Sequence, residues 1–308
     1  KWLMSEDDSA IPELGLSFTV IRHSFHVTRW KEKQLGEIVD DLSPSKLVEA
    51  IETNMFDFWM HLGSSPQVDL YDGPDMIRLT CDTPTPFLNI VLRAQLTLDD
   101  IDTNIEETLS HFKSRGLPIR WITSPSTQPV DLGNFLEAHG LIHMTDFPGM
   151  AVHLPEVNED LTTPSDLSIE QVGDVKTLEQ MINTFAIGYE IPVSVGNLFF
   201  DILSSLGFEL PLRHYLGWLK GKPVACASLL LSSCVAGIYI VATVQEARGQ
   251  GIGSALTLHP LLEARALGYR IGILGSTEMG LGVYRRLGFR EYFKFGIYIG
   301  SSETTKDV

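Results

Sequence analysis

One segment restricts the possible folds more than any other: Val241-Ala242-Thr243-Val244-Gln245-Glu246-Ala247-Arg248-Gly249-Gln250-Gly251-Ile252-Gly253-Ser254-Ala255-Leu256. An apolar run of strand type ends, a short turn follows, and glycines at alternate positions lead into a helical pattern. Glycine admits φ > 0 and lets the main chain approach another molecule closely. Several backbone N–H groups can then converge on one anion at a helix N-terminus, where the macrodipole also favours negative charge. A loop of this kind is a pyrophosphate cradle. The plainer reading, a turn that serves only tight packing, is disfavoured by Arg248 and by the strand-to-helix junction. A Walker loop needs a lysine after its last glycine, and here Gly253 is followed by Ser254-Ala255. A dinucleotide fingerprint needs wider glycine spacing and an acid at the end of the next strand, and residues 271–276 contain none.

The segments around the loop point to an α+β chain with a mixed sheet and helices on its faces. Strands are expected at 167–172, 213–219, 223–231, 237–244, 269–274 and 289–299. Helices are expected at 174–189, 193–206, 251–267 and 279–287. Lys220-Gly221-Lys222 is a hairpin turn between two of the strands. A polar stretch with two prolines, residues 154–166, reads as a linker between an N-terminal domain (1–153) and a C-terminal one (167–308).

The N-terminal half repeats the later pattern: a strand at 87–96, a helix at 101–115 ended by Gly116, and a strand at 118–122. Leu136-Glu137-Ala138-His139-Gly140-Leu141 then parallels Tyr284-Arg285-Arg286-Leu287-Gly288-Phe289. This half has no glycine-rich turn before Gly116. Residues 1–40 fit neither repeat and read as an extra strand pair.

With this loop followed by this second element, the chain resembles the GNAT superfamily of N-acetyltransferases. Its Q/R-x-x-G-x-G/A signature is met by Arg248-Gly249-Gln250-Gly251-Ile252-Gly253, and its Y-x-x-x-G-F element by Tyr284 to Phe289. The resemblance covers roughly residues 167–300. The N-terminal half looks like a degenerate copy, as in tandem GNAT proteins such as the mycothiol synthases. The resemblance implies acetyl-CoA as cosubstrate, its pyrophosphate on the backbone of Arg248, Gly249, Gln250, Gly251, Ile252, Gly253 and Ser254. It implies that the pantetheine arm pairs with the strand edge at Val241, Ala242 and Thr243, like an added strand. A bulge at 240–242 would expose that edge. It also implies Tyr284 as the catalytic acid that protonates the departing thiolate.

Two positions depart from the family pattern. Pro260 falls inside the helix after the loop and is expected to kink or interrupt it. Thr277 stands where the family often has asparagine. Glu190 could line the acceptor cleft, but a solvated helix-end carboxylate is the simpler expectation. His214 and His259 have no partner motif and read as structural, and Cys226 lies in an apolar strand as a buried thiol.

The formal charge of −16 argues against nucleic acid as a partner. Between residues 245 and 294, seven Lys/Arg against four Glu make a local window of about +3, which suits a small anionic ligand. No apolar run reaches the ~18 residues of a membrane span, and the N-terminus lacks a secretory layout. Three cysteines without metal-ligand spacing suit a reducing compartment, so no metal and a cytoplasmic location are expected. The expected function is acetyl transfer from acetyl-CoA to a primary amine on a small molecule or peptide. The alternative is a non-catalytic acyl-CoA-binding or sensing module whose N-terminal half binds a partner.

Overall fold

The computed structural model describes residues 41–301; the strand pair expected in residues 1–40 lies outside them. Helix α1 (Pro44–Gly63) opens on a proline, and Leu47, Ile51, Met55, Phe58 and Leu62 recur at helical spacing and are buried. It is followed by β1 (Asp69–Asp72), β2 (Ile77–Thr80), β3 (Ile90–Leu92), α2 (Ile101–Lys113), β4 (Ile119–Thr123), α3 (Leu132–Ala138) and β5 (Ile142–His153). The C-terminal half runs β6 (Leu167–Gln171), α4 (Val175–Tyr189), α5 (Val193–Leu206), β7 (Leu212–Leu219), β8 (Lys222–Ser232) and β9 (Val235–Thr243). It closes with α6 (Ile252–Ala266), β10 (Ile271–Gly275), α7 (Glu278–Arg286) and β11 (Arg290–Gly300). Between the halves, one 3₁₀ turn (Leu154–Glu156) docks on the C-terminal half. Leu154 N–H donates to the Arg270 carbonyl at 2.8 Å, and Asn158 N–H to that of Leu287 at 3.1 Å.

All eleven strands form one mixed sheet in the order β1-β2-β3-β4-β11-β5-β10-β9-β8-β7-β6. The centre of that order is an exchange. β5, from the N-terminal half, lies between β10 and β11, while β11 lies between β4 and β5. Each half therefore completes its sheet with the other's last strand. Side chains alternate across this sheet and make three cores, one of them in the N-terminal half, where α2 and α3 bring Ile105 and Leu136 to Val91 and Trp121. On one face α6 covers Ala225, Ala227, Leu229, Ala236, Ile238 and Leu274. On the other, α1, α4 and α5 cover Cys226, Leu230, Val235, Ile273, Phe295 and Ile297.

The duplication is visible in the geometry. β3 pairs β4 in parallel across α2, as β9 pairs β10 across α6. Leu141 N–H reaches the Leu136 carbonyl at 3.0 Å, and Phe289 N–H the Tyr284 carbonyl at 3.0 Å. Gly140 and Gly288 provide the positive φ of those two helix ends (86° and 101°).

Two expectations are corrected. The strand at 87–96 shortens to Ile90–Leu92, because the Asn89 side chain holds the preceding turn and Arg93 takes φ 53°. Pro260 does not interrupt α6, which runs through it as Ile252–Ala266. The helix is held by tertiary packing of buried Leu256, Pro260, Leu261 and Ala264 against the sheet, which outweighs the ~3 kcal/mol cost of an interior proline.

Candidate acyl-CoA site

The parallel pairing of β9 with β10 ends at Ile238 opposite Leu274. Beyond it the two strands part. β9 stays on β8, but with a register shift between Cys226 and Ser228, so one residue of β8 faces two of β9. This is a β-bulge at Ile240-Val241, and Ile240 holds φ 51°. The bulge turns β9 away from β10 and leaves the edge at Val241, Ala242 and Thr243 without a strand partner on the β10 side.

The glycine loop meets this edge. Gly249 and Gly251 have φ 75° and 77°, and α6 starts at Ile252. Alternating the hand of successive residues turns their N–H groups toward a common centre. The N–H groups of Gly249, Gln250, Gly251, Ile252, Gly253 and Ser254 find no backbone acceptor among the described residues. Six donors at the positive end of a 15-residue helix suit a diphosphate.

Arg248 behaves differently from its neighbours. Its own N–H bonds to the Gln245 carbonyl at 3.2 Å. Its guanidinium donates to the Thr243 carbonyl at 3.0 Å and to the Gly188 carbonyl at 2.8 Å. The side chain thus clamps the end of β9 to the end of α4. Gly188 makes the approach possible, since a Cβ there would lie 2.9 Å from that of Ala242. Of the basic window, only Arg248 and Arg286 reach the cavity described next; Arg265 pairs with Glu159 at 2.8 Å and Arg285 with Glu291 at 3.7 Å.

A cavity of about 980 Å³ runs from the loop through the gap between β9 and β10. Tyr284 lines it from α7, at 8% exposure, edge-on to Phe289. No described residue hydrogen-bonds its hydroxyl, and burial, with Tyr189 nearby, pushes its pKa well above the ordinary phenol value. It is therefore neutral at physiological pH. Thr277 caps α7 by accepting the Gly280 N–H at 3.3 Å, which is what an asparagine would do there. Glu190 is exposed, ends α4 with φ 55°, and also lines the cavity mouth.

The remaining singled-out side chains are structural. His214 is buried on the Ser228 hydroxyl at 2.7 Å, and burial pulls its pKa down to about 3. His259 packs edge-on to Tyr215. Cys226 is buried, its thiol pushed up to about 12 and placed 3.5 Å from the Ile240 carbonyl. Among the described residues no cluster of His, Cys, Asp or Glu is arranged to hold a metal ion, and no helix is long and apolar enough to cross a membrane.

Residues 211–291 match a family model described as an acetyltransferase (GNAT) domain. This chain carries a GNAT domain. A GCN5-related N-acetyltransferase from Kribbella flavida has a similar fold, with a TM-score of 0.62 at 17% identity, over 83% of this chain and 97% of that one. Another from Sphaerobacter thermophilus gives a TM-score of 0.56 at 14% identity, over 86% and 95%. A tandem GNAT protein from the clavulanic acid biosynthesis pathway gives 0.54 at 13% identity, over 87% and 97%. No curated protein matches by sequence. The likenesses span both halves, so the fold is that of a tandem GNAT protein.

The N-terminal copy differs where the GNAT domain opens. Leu96 N–H bonds to the Gln128 carbonyl, and Gln128 N–H to that of Ala94, each at 2.9 Å, so the chain after β3 stays joined to the chain after β4. The Asp100 carboxylate accepts the Thr97 N–H at 3.0 Å and closes the turn before α2; that side chain makes no cap bond to the helix itself. Leu136, fully buried, takes the place of Tyr284. Sequence reasoning missed the N-terminal half's share of the cavity wall, including Arg120 on β4.

Proposed function

We propose that this protein transfers an acetyl group from acetyl-CoA to a primary amine by direct attack, with Tyr284 as general acid. The observation that carries the reading is the parting of β9 and β10 beside six unbonded N–H groups, with Tyr284 on the wall of the same cavity. When bound, acetyl-CoA supplies an acyl carbon activated by a thiolate leaving group. The loop N–H groups from Gly249 to Ser254 hold its diphosphate, and Arg248 acts through position by locking β9 against α4. The free edge at Val241, Ala242 and Thr243 takes the amides of the pantetheine arm, and a backbone N–H there polarises the acyl carbonyl.

Tyr284 keeps its proton because burial disfavours the phenolate. As thiolate charge develops beside it, the phenol donates, first as a hydrogen bond and then as a proton. The attacking nitrogen sheds its own proton to water at the cavity mouth, where Glu190 stands. The N-terminal half supplies α1 and β4 as a wall of the acceptor cleft and holds no acyl-CoA of its own.

The test is an amine panel with acetyl-CoA, following free thiol. The expected result is thiol release well above the hydrolysis background with one class of amine. Saturable acetyl-CoA binding with no release across small amines and peptides would instead favour a sensing module.

A further inference from the structure

The cavity does not end at the thioester position. It crosses the sheet, from the face covered by α6 to the face covered by α1, and continues into the N-terminal half. Its wall there is apolar: Ile51, Met55 and Trp59 of α1, Ile122 of β4, Phe147 of β5 and Ile297 of β11. One charged group interrupts that wall, the guanidinium of Arg120. Nη2 donates to the Phe87 carbonyl at 2.8 Å. Nε is buried and has no hydrogen-bond partner among the described residues. The group lies over the rings of Trp59 (5.4 Å) and Phe87 (5.9 Å).

Arginine carries five N–H donors, and most of those of Arg120 are unused. Burial lowers its pKa only to about 10, so it stays charged at neutral pH. No described carboxylate pairs with it. The two carboxylates on the cavity wall, Glu190 and Glu278, stand on C-terminal helices and make no ion pair with it. A half-buried cation without a counter-charge carries a desolvation cost, and its planar fork matches a carboxylate.

We propose that Arg120 anchors a carboxylate of the amine acceptor, which makes the acceptor an aminocarboxylate with an apolar body between amine and acid. This rests on the acyl-transfer reading above. The acceptor is assigned to this arm because the diphosphate cradle and Tyr284 belong to the α6 face, while the arm lies on the opposite face. A thioester reached through the gap must be attacked from that side. The apolar walls accommodate the body, and Arg120 sets its orientation.

The probe is para-aminomethylbenzoate, a primary amine and a carboxylate joined by a ring, compared with its neutral carboxamide. Calorimetry on the full chain with acetyl-CoA present should show the carboxylate binding at least tenfold tighter. Arg120→Met should erase that preference while leaving acetyl-CoA affinity unchanged, and Arg120→Lys should retain part of it. Equal binding of the two probes by the wild type, or a preference that survives Arg120→Met, would overturn the assignment. So would an Arg120-dependent preference for glutaryl-CoA over butyryl-CoA, which would give the anion to the acyl chain. Should Arg120→Met fail to fold, the Lys variant carries the comparison, and loss of all preference there with the fold intact would count against a charge-based anchor. The two readings fail separately. Arg120-dependent binding without thiol release removes acyl transfer and keeps the anchor, whereas release from neutral amines regardless of Arg120 does the reverse.

Discussion

Replacing Gly253 with aspartate is expected to weaken acetyl-CoA binding well over tenfold, more than ~1.4 kcal/mol, while leaving the fold at least as stable. Gly253 is the second residue of α6 and has no positive φ. A Cβ there would meet only the Thr243 hydroxyl, at 3.4 Å, on the wall of the cavity. A carboxylate in the first turn favours the helix through its macrodipole. The same charge opposes a diphosphate at the same N–H groups. Stability and affinity should therefore move in opposite directions, which a merely damaged protein would not do. Gly253→Asn separates bulk from charge and should lose less. Gly251 is the poorer position for this test, since its φ is 77° and a Cβ would collide with the Thr162 carbonyl. Unchanged affinity in folded Gly253→Asp, read by calorimetry, would remove the loop from the binding site.

Tyr284→Phe is expected to lower kcat by about 10²–10⁴, with acetyl-CoA affinity nearly unchanged. The ring's contact with Phe289 survives the substitution, so the change is confined to one hydroxyl that no described residue hydrogen-bonds. The raised pKa gives the sign of the pH dependence. Below an ordinary phenol pKa of ~10 the acid stays protonated, so its ionisation should produce no fall in wild-type kcat across that range. A variant that keeps most of its turnover would reduce Tyr284 to a packing role.

The loop, the strand before it and the helix after it were legible because glycine spacing and apolar periodicity are local signals. A bulge at residues 240–242 was named only as what a pantetheine arm would need and could not be read from the residues; it lies at Ile240-Val241, where Ile240 holds φ 51°. The exchange of β5 and β11 was not legible. Both are long strands, and nothing in the order of their residues says which neighbour each will choose. Arg248 was read as part of the cradle, yet its side chain binds two carbonyls of the protein, a tertiary contact across sixty residues of chain. Pro260 was given its local cost without the packing that offsets it. Arg120 carried no signal at all, being a single arginine in a short strand, and its meaning arises only where α1 and β4 meet the C-terminal half.

The central claim is that the duplicated chain has a single acyl-CoA site, in its C-terminal half. In the N-terminal half no glycine precedes Gly116 in the helix and the turn before it. The chain after β3 is hydrogen-bonded shut, and Asp99, Asp100 and Asp102 sit at the start of α2, where their charge would oppose a diphosphate. Titration calorimetry of the full chain with acetyl-CoA counts the sites directly. One site per chain, lost in Gly253→Asp, is the predicted result. Two equivalent sites, or one that survives that substitution, would contradict it.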